Sequence, residues 1–324
     1  MKYNVISISG GKDSTAMALL AIERKTENIR FVFSDTGHEH KQTYDYVQYL
    51  NGELRRLCGV GIETVKANFD RQIEGKRKFI AEKWEADGVP AERIEQAIEI
   101  LKPTGNPFLD LCLWKGRFPS TRRRFCSEEL KHKPINDFIE SLLPATVISW
   151  QGVRRDESLS RRDLPERDVE FGTWEPEPSG HLIYRPILDW KASDCFEQHR
   201  KFGIDWNPLY EQGMGRVGCM PCIHVTKKEL LEIASRFPEE IERVRQWEQL
   251  VSAASKRGAS TFLDGRLAAK MLGTGLDEIN ADTHGIDVHV DWSKTAYGGK
   301  QYDLIKAIQI DESSQCSSQY GLCE

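Results

Sequence analysis

The first 65 residues alternate short hydrophobic runs with longer amphipathic stretches. The runs Tyr3–Ile8 and Ile29–Phe33 are short and apolar, which is typical of strands that are buried on both faces of a parallel sheet. Each is followed by helix-forming residues with helical periodicity, Thr15–Arg24 and Lys41–Leu57. With a third run at Ile62–Val65, the order β-α-β-α-β predicts a doubly wound α/β domain with a mostly parallel sheet.

The regular alternation stops after the third run. Residues 68–125 contain two helical stretches and a loop with proline and glycine, which predict a helical insertion over the ligand edge of the sheet. The pattern resumes with a helix at Glu128–Leu142 and a strand at Ala145–Gly152. Residues 156–180 are charged and contain proline, which predicts a loop, and residues 181–190 are expected to complete the α/β unit.

The length of 324 residues allows one large domain or two smaller ones. From residue 227 to about residue 256 the chain has a helical pattern, and after that its character is mixed. We therefore predict an α/β domain over residues 1–225, which includes the insertion. A mainly helical region with a cysteine-bearing tail is predicted over residues 226–324.

Composition and charge narrow the classes of function. The net charge is −5, so any site for nucleic acid has to be a local patch. No apolar run approaches the roughly 20 residues that are needed to cross a bilayer, and the N-terminus has the pattern of a strand and not of a signal peptide. These features predict a cytoplasmic protein, in which the eight cysteines favour metal or redox chemistry over disulfides.

The stretch SISGGKDS (residues 7–14) lies where the first strand ends and the first helix begins. Backbone N–H groups at such a turn point toward an anion, the helix dipole favours negative charge, and glycines let the anion approach closely. The spacing excludes a Walker-type loop, and an ordinary Gly-Gly turn before a helix is the alternative. The candidate anion-binding residues are Ser7, Ser9, Gly10, Gly11, Lys12, Asp13 and Ser14.

The string SGGKDS after a strand resembles the PP-loop of the ATP pyrophosphatases. That family cleaves ATP between its α- and β-phosphates, usually to adenylate a substrate. The resemblance implies that Lys12, Asp13 and Arg154 are catalytic and that Asp13 helps to hold Mg²⁺, which prefers oxygen ligands. The residues alone leave open that Asp13 only accepts hydrogen bonds from the first turn of the helix.

Four further stretches carry a more specific resemblance. They are DTG followed by TYDYV from residue 35, FPSTRRRFCSEELKHKPI (118–135), GVRRDESLSRR (152–162) and NPLYEQGMGRVGCMPCI (207–223). They resemble the phosphoadenylyl-sulfate (PAPS) reductase branch of the superfamily, near the ATPases of DNA phosphorothioation. The resemblance covers roughly residues 5–225 and implies a Rossmann-like fold of the adenine nucleotide alpha hydrolase type. Because ligands bind at the carboxyl ends of strands in such folds, it adds to the nucleotide site Asp35, Thr36, Gly37, Gly152, Arg154 and Glu157.

The resemblance to the reductases is incomplete. Sulfonucleotide reductases bind an already activated sulfate, typically lack the intact Gly-Gly-Lys-Asp-Ser string and keep a catalytic cysteine in a C-terminal E-C-G-(I/L)-H, whereas this chain ends in QYGLCE. The prediction is therefore an ATP-cleaving relative that adenylates an acceptor for sulfur incorporation. Two alternatives stay open: a sulfonucleotide reductase in which Cys323 attacks sulfur, and a non-catalytic iron–sulfur module that binds nucleotide and regulates a partner.

The cysteines provide the candidate metal ligands. Cys219 and Cys222 form a Cys-x-x-Cys pair on a turn with Gly and Pro, which can grip one metal ion. Thiolates from distant segments would complete a [4Fe–4S] cluster, and the predicted ligands are Cys126, Cys219, Cys222 and either Cys323 or Cys316. Four thiolates also suit zinc, and a redox dithiol is a third option. The cysteines expected in the core are Cys58, Cys112 and Cys195.

Two basic segments stand out in this acidic chain. Seven Lys or Arg occur with two Glu between residues 115 and 133, and four Arg occur with two acids between residues 154 and 162. Arg binds phosphate bidentately, so these segments are candidates for binding ATP, pyrophosphate or a nucleic-acid backbone, with an ordinary solvated surface as the alternative. The expected partners are ATP, a nucleic-acid acceptor and a cysteine desulfurase or another sulfur donor. The sequence leaves the acceptor and the oligomeric state open.

Overall fold

The computed structural model describes residues 1–295. These residues form two compact units, the first built from Met1–Lys66 and Leu130–Cys219. The second is built from Ala67–Glu129 and residues 220–295. The segment predicted as an insertion and the helices that follow Cys219 therefore belong to one and the same unit. The domain boundary near residue 225 stays a prediction.

The first unit contains a six-stranded sheet with the order β3-β2-β1-β4-β6-β5. Its strands are β1 (Lys2–Ile8), β2 (Ile29–Asp35), β3 (Ile62–Lys66), β4 (Thr146–Trp150), β5 (Arg167–Thr173) and β6 (Ser179–Tyr184). All neighbouring strands are parallel except β5, which runs antiparallel to β6 at the edge. This topology confirms the predicted doubly wound α/β fold with a mostly parallel sheet.

The helices among the described residues are, in chain order, α1 (Lys12–Glu23), α2 (Lys41–Cys58), α3 (Asp70–Lys83), α4 (Ala91–Ile100), α5 (Pro107–Lys115), α6 (Phe125–Ser127), α7 (Lys133–Glu140), α8 (Ala192–Phe202), α9 (Lys227–Arg236), α10 (Pro238–Ala253), α11 (Gly265–Leu272), α12 (Ala281–His284) and α13 (Ile286–Ser293). Helices α1, α2, α7 and α8 belong to the first unit, and the others lie in the second. Within residues 1–295, no helix has the length and apolar character that a membrane crossing requires.

Alternate residues of the central strands enter two hydrophobic clusters. Ile6 and Phe31 pack with residues of α1 and α2 on one face. Val5 and Val32 pack with Ile135 of α7 on the other face. Burial on both faces explains why these strands have continuous apolar runs and not an apolar–polar alternation.

The strand order creates a switch point between β1 and β4. From β1 the chain proceeds through β2 and β3 toward one edge of the sheet, whereas β4 pairs with the opposite side of β1. In open α/β sheets, ligands bind in the crevice outside the carboxyl ends of the strands at such a point. The segments that meet there are the loop after β1 and the segment after β4.

Strand β5 was predicted as loop, and this prediction is wrong. Its residues Arg167–Thr173 are mostly exposed, and the two apolar side chains that alternate with polar ones, Val169 and Phe171, are exposed as well. The strand forms because it adds an antiparallel edge to β6, with an irregular register between Val169 and Phe171. The segment is rich in charged residues and has no buried apolar run, so its hydrophobic pattern alone does not indicate a strand.

The helix predicted at Glu128–Leu142 is divided. A π-helical turn at Glu128–His132 precedes α7, and Pro134 follows directly. Proline has no N–H to donate to the carbonyl of Leu130 four residues earlier. The hydroxyl of Ser34 donates to that carbonyl instead, at 2.6 Å, so this region of the helix is joined to the end of β2.

Candidate functional site

The loop after β1 is a tight turn that requires glycine. Gly10 has a φ of +80°, in the left-handed region, and a Cβ atom there would lie 2.9 Å from Cγ2 of Thr43. Gly11 is the N-cap of α1, and no side chain caps the helix at this position. The N-cap residue therefore places no side chain over the N-terminus of the helix.

Two serines fix the shape of this loop. The Ser9 and Ser14 hydroxyl oxygens lie 3.0 Å apart, and the Ser9 N–H donates to Ser14 Oγ at 3.1 Å. Ser14 Oγ donates to the carbonyl of Gly11, whose own N–H donates to Ser9 Oγ at 3.3 Å. Ser7, by contrast, lies inside β1 with no exposed surface, and it does not line the cleft described below.

Lys12 and Arg154 place two positive charges on either side of Asp13. Lys12 Nζ lies 3.4 Å from Asp13 Oδ2, and Arg154 Nε lies 3.0 Å from Asp13 Oδ1. Burial by itself would raise the pKa of Asp13, but the charges of Lys12 and Arg154 outweigh burial and lower this pKa below its usual value. Asp13 therefore stays ionised and joins α1 to the segment that follows β4.

The segment after β4 contains the predicted site residues Gly152, Arg154 and Glu157. A Cβ atom on Gly152 would lie 3.5 Å from the backbone of Ser14, so this residue packs against the first turn of α1. Glu157 accepts a hydrogen bond from the Arg154 N–H at 3.1 Å and also pairs with Arg161. Glu157 thus holds the arginine segment in place.

The DTG residues form a compact turn after β2. Asp35 Oδ1 accepts hydrogen bonds from the Gly37 N–H at 2.9 Å and from the Tyr44 hydroxyl at 2.8 Å. Thr36 Oγ1 donates to Glu39 Oε2 at 2.5 Å. Burial, together with the nearby carboxylates Glu39 and Asp35, raises the pKa of Tyr44, so its hydroxyl remains a donor.

A cleft opens at the carboxyl ends of β1 and β2. Its lining residues are Ile8, Ser9, Phe33, Ser34, Glu39, Lys131 and Gly218. Lys131 and Glu39 are side chains of opposite charge, and both are largely buried. Both were missed as site residues, although they lie within or next to stretches that carry the family resemblance.

Three side chains from α8 and the segment after it contact the backbone of the loop. His199 Nε2 lies 3.1 Å from the carbonyl oxygen of Lys12, and Asn207 Nδ2 donates to the carbonyl of Gly10 at 3.2 Å. The hydroxyl of Tyr210 accepts from the Lys12 N–H at 3.1 Å. Burial lowers the pKa of His199, so it is neutral at pH 7 and its Nε2–H donates to the carbonyl.

The predicted metal ligands do not form a site within the described residues. Across residues 1–295, no three His, Cys, Asp or Glu side chains come together in a group that could hold a metal ion. The carboxylate of Asp13 has no exposed surface and faces two cations, so it does not fit the role of Mg²⁺ ligand in this conformation. Mg²⁺ binding by Asp13 stays a prediction from the resemblance.

The cysteines are distributed over both units. Cys219 lies in the first unit, with its Sγ 4.0 Å from Glu39 Oε1 and 3.9 Å from Thr36 Oγ1. Cys126 and Cys222 belong to the second unit, while Cys316 and Cys323 lie outside the described residues. The iron–sulfur cluster therefore stays a prediction. Of the cysteines expected in the core, two are buried and Cys58 is half-buried; the buried ones are Cys112 and Cys195.

Comparisons with a family model and with related proteins point to the same family. The model of the phosphoadenosine phosphosulfate reductase domain matches residues 3–225. An uncharacterised 37.8 kDa protein of Escherichia phage 186 is 49% identical over 339 residues, which cover 99% of this chain and 96% of that protein. A phosphoadenosine 5'-phosphosulfate reductase of Buchnera aphidicola is 26% identical over 237 residues, or 72% of this chain and 75% of the reductase.

Among solved structures, the crystal structure of PAPS reductase from Candida auris in its phosphate complex matches with 17% identity and a TM-score of 0.39, over 67% of this chain and 80% of that one. The family match confirms the resemblance to the PAPS reductase branch, and it spans both the loop after β1 and the segment after β4. Because this match also covers well over half of the chain, the protein belongs to the family that carries the phosphoadenosine phosphosulfate reductase domain.

Proposed function

We propose that this protein binds ATP at the loop after β1, cleaves it between the α- and β-phosphates and transfers AMP to an acceptor. The observation that carries the proposal is the intact loop Ser9–Ser14 at the switch point of the sheet, with Lys12 and Arg154 on either side of Asp13. A helix N-terminus flanked by two cations suits a polyphosphate better than it suits a neutral ligand.

The adenylation step is a displacement at phosphorus. An acceptor oxygen attacks the α-phosphorus of ATP, a new oxygen–phosphorus bond forms, and the bond to the β-phosphate oxygen breaks. Pyrophosphate leaves, and Lys12 and Arg154 offset its growing negative charge. In a second step, hydrosulfide displaces AMP, which leaves with the acceptor oxygen. A cysteine desulfurase or another sulfur donor that carries a persulfide supplies this hydrosulfide when a thiol reductant cleaves the S–S bond and is oxidised to a disulfide.

The identity of the nucleotide products tests this proposal. Wild-type protein incubated anaerobically with the magnesium complex of ATP is expected to yield AMP and pyrophosphate, with candidate nucleic acids added as acceptors. Release of ADP and phosphate would contradict cleavage at the α-phosphate. Binding of ATP with no turnover under any acceptor condition would instead support the non-catalytic binding module.

A sulfonucleotide reductase is the second candidate, favoured by the family domain and by the reductase names of several relatives. In this reaction a cysteine thiolate attacks the sulfur of PAPS, a sulfur–sulfur bond forms, and adenosine 3',5'-bisphosphate leaves. A thiol donor then attacks the cysteine sulfur, the new sulfur–sulfur bond breaks, and sulfite leaves. A second thiol reduces the resulting mixed disulfide, so that the cysteine thiolate is restored and the two donor thiols end as a disulfide. This candidate would be established, and the first overturned, by three results together. Wild type releases sulfite from PAPS, Cys323→Ser does not, and wild type does not cleave ATP.

We propose a nucleic acid as the acceptor because of an arginine-rich loop in the second unit. Arg117, Arg122 and Arg123 are exposed, and neither Arg122 nor Arg123 forms an ion pair within the described residues. The neighbouring Lys115, by contrast, pairs with Glu129 at 3.3 Å. Exposed arginines without acidic partners are free to contact phosphate groups.

The nearby aromatic rings do not provide free stacking surfaces. Trp114 stacks on Phe69 on one face, with ring centroids 5.7 Å apart, and the ammonium of Lys115 lies 3.6 Å from its ring centroid. Phe125 is approached by the guanidinium of Arg117 at 5.9 Å. The loop therefore suits contact with the sugar–phosphate backbone, which does not depend on sequence, and not stacking on bases.

The iron–sulfur cluster remains part of the proposal on the strength of the Cys-x-x-Cys pair alone. Zinc and free thiols are the alternatives. Iron, zinc and acid-labile sulfide measured in the same anaerobic preparation separate the three cases.

A further inference from the structure

The segment after α8 reaches the N-terminus of α1 through a tyrosine for which the proposed reaction has no role. Tyr210 ends a short 3-10 turn, Pro208–Tyr210, and its hydroxyl accepts a hydrogen bond from the Lys12 N–H at 3.1 Å. Its ring also lies 5.3 Å from the ammonium of Lys12. A single side chain thus contacts both the backbone donor and the charged group of the residue that is central to the loop.

The Lys12 N–H belongs to the donors with which such a loop binds phosphate. It is the first N–H of α1, and no residue within the helix accepts from it. In the proposed reaction the phosphate oxygens of ATP need this donor. The Tyr210 hydroxyl and a phosphate oxygen cannot both accept from this N–H in good geometry, each about 3 Å from its nitrogen.

We propose that the Tyr210 hydroxyl is a built-in competitor of phosphate for the Lys12 N–H, and that it has to leave this donor for ATP or pyrophosphate to bind. The inference rests on the proposed nucleotide site. A charged phosphate oxygen is a stronger acceptor than a neutral phenol, so phosphate wins the exchange at the cost of the bond that it replaces.

The surroundings of Tyr210 hold its ring at the loop without its hydroxyl. Asn207 binds the carbonyl of Gly10 and the hydroxyl of Thr43, at 3.2 and 3.3 Å. The Tyr210 ring packs edge-on against Phe196, with centroids 5.7 Å apart. The substitution Tyr210→Phe therefore removes the competing oxygen and leaves the packing and the ring near Lys12 in place.

The test measures the affinity for inorganic pyrophosphate by calorimetry. Tyr210→Phe is expected to bind pyrophosphate about threefold to tenfold more tightly than wild type, the range that corresponds to the net contribution of one neutral hydrogen bond. A structural role of Tyr210 in supporting the loop predicts weaker binding, so the direction of the change separates the two.

Tyr49→Phe is a matched control. The hydroxyl of Tyr49 accepts from the backbone N–H of Asp205 at 3.1 Å, a bond of the same kind and length away from the loop. The affinity of Tyr49→Phe for pyrophosphate is expected to stay within about twofold of wild type. This change is smaller than the gain in affinity expected when one hydrogen-bond donor of the loop is freed. Equal tightening in both variants would mean that general loosening of the segment is responsible, and the proposal would fall.

Hydrogen exchange of the Lys12 amide gives a second, direct measurement. Exchange is expected to be faster in Tyr210→Phe than in wild type, and pyrophosphate is expected to slow it in both proteins. If wild type binds pyrophosphate and Tyr210→Phe shows the same affinity and the same exchange rate, the proposed role of Tyr210 is overturned but the nucleotide site is not. Absence of pyrophosphate and ATP binding in both proteins overturns the nucleotide site as well.

Discussion

At the scale of single residues, the loop after β1 could be predicted because its chemistry is contained in six consecutive residues. The residues that hold it in place could not. His199, Asn207 and Tyr210 contact the loop across 187 to 198 positions of sequence. Asn207 and Tyr210 stand in a stretch that carries the family resemblance, but the stretch does not indicate which residues contact the loop. The packing of α8 against α1, and of the turn Pro208–Tyr210 against α2, brings these side chains there.

The conformation of Gly10 leads to a test of the loop itself. Gly10→Ala is expected to lower the free energy of unfolding by about 1–3 kcal/mol, because alanine is strained at a φ of +80° and its Cβ would meet Thr43. Urea unfolding followed by circular dichroism measures the change. Nucleotide binding is expected to weaken in the same variant, because the loop backbone shifts.

Gly52 provides the matched control in the neighbouring helix α2. Its position is helical and exposed, and a Cβ atom there would have no neighbour within 4 Å. Gly52→Ala is expected to raise the free energy of unfolding by about 0.5–1 kcal/mol. An equal effect of the two substitutions would show that Gly10 does not have the backbone conformation described.

At the scale of elements, the hydrophobic pattern identified the central strands β1 to β4 but missed β5 and the division of the helix before α7. The central strands are buried, so their apolar runs report their environment directly. Strand β5 is exposed and, within the described residues, pairs only with its neighbour β6, so no buried apolar run marks it. The π-helical turn contacts a partner distant in sequence, the Ser34 hydroxyl. A buried carboxylate in the second unit is a third feature that the sequence did not indicate.

Glu248 of α10 links two other segments of the second unit. Its carboxylate accepts from the Phe262 N–H at 2.7 Å and from the N–H of Ile286, the first residue of α13, at 2.9 Å. The residue is 1% exposed. Burial raises the pKa of Glu248 to about 7, and the two backbone N–H groups only partly offset this effect.

This shift predicts a pH dependence of stability. The folded protein keeps the proton on Glu248 over a pH range in which the unfolded chain releases it, so the free energy of unfolding falls as the pH rises from about 5 to about 7 and then levels off. The decrease is expected to be about 1–3 kcal/mol. Urea unfolding at several pH values measures it.

Glu248→Gln isolates the contribution of this one residue. The variant is expected to be less stable overall, because its amide nitrogen cannot accept from a backbone N–H. Its free energy of unfolding is also expected to fall less steeply between pH 5 and 7, although Glu240, whose pKa burial also raises to about 7, contributes in the same direction. If the free energy of unfolding of Glu248→Gln fell as steeply with pH as that of wild type, the pH dependence could not be assigned to Glu248.

At the scale of the whole molecule, the α/β architecture and its family could be predicted, whereas the grouping of segments into units could not. The segment 68–125 and the helices after Cys219 each show amphipathic patterns, but such patterns do not tell which helices share a core. The net charge of −5 likewise conceals the exposed arginines of the second unit. The sequence locates the basic segment between residues 115 and 133, but exposure and ion pairing are needed to show which of its arginines have no acidic partner within residues 1–295.

The arginine loop predicts salt-dependent binding of nucleic acid. The double substitution Arg122→Ala/Arg123→Ala is expected to weaken binding of single-stranded DNA and to lower the slope of log K against log salt by about 1–2, because about one counterion is released per phosphate contact. Fluorescence anisotropy over a range of salt concentrations measures both quantities. Arg55→Ala/Arg56→Ala, which changes an exposed pair in α2 by the same charge, is expected to leave the slope unchanged; equal effects would contradict a specific site.

The rate of pyrophosphate release from ATP by Lys12→Ala, compared with Lys41→Ala, tests the central claim most directly. Lys41 is an exposed lysine paired with Asp45, so its substitution controls for the loss of one positive charge. The proposed mechanism predicts that Lys12→Ala loses at least about 100-fold in rate, the scale expected when a group that stabilises developing charge is removed, and that Lys41→Ala matches wild type. Pyrophosphate release by Lys12→Ala at a rate near that of wild type would contradict the assignment of the loop as the site of ATP cleavage.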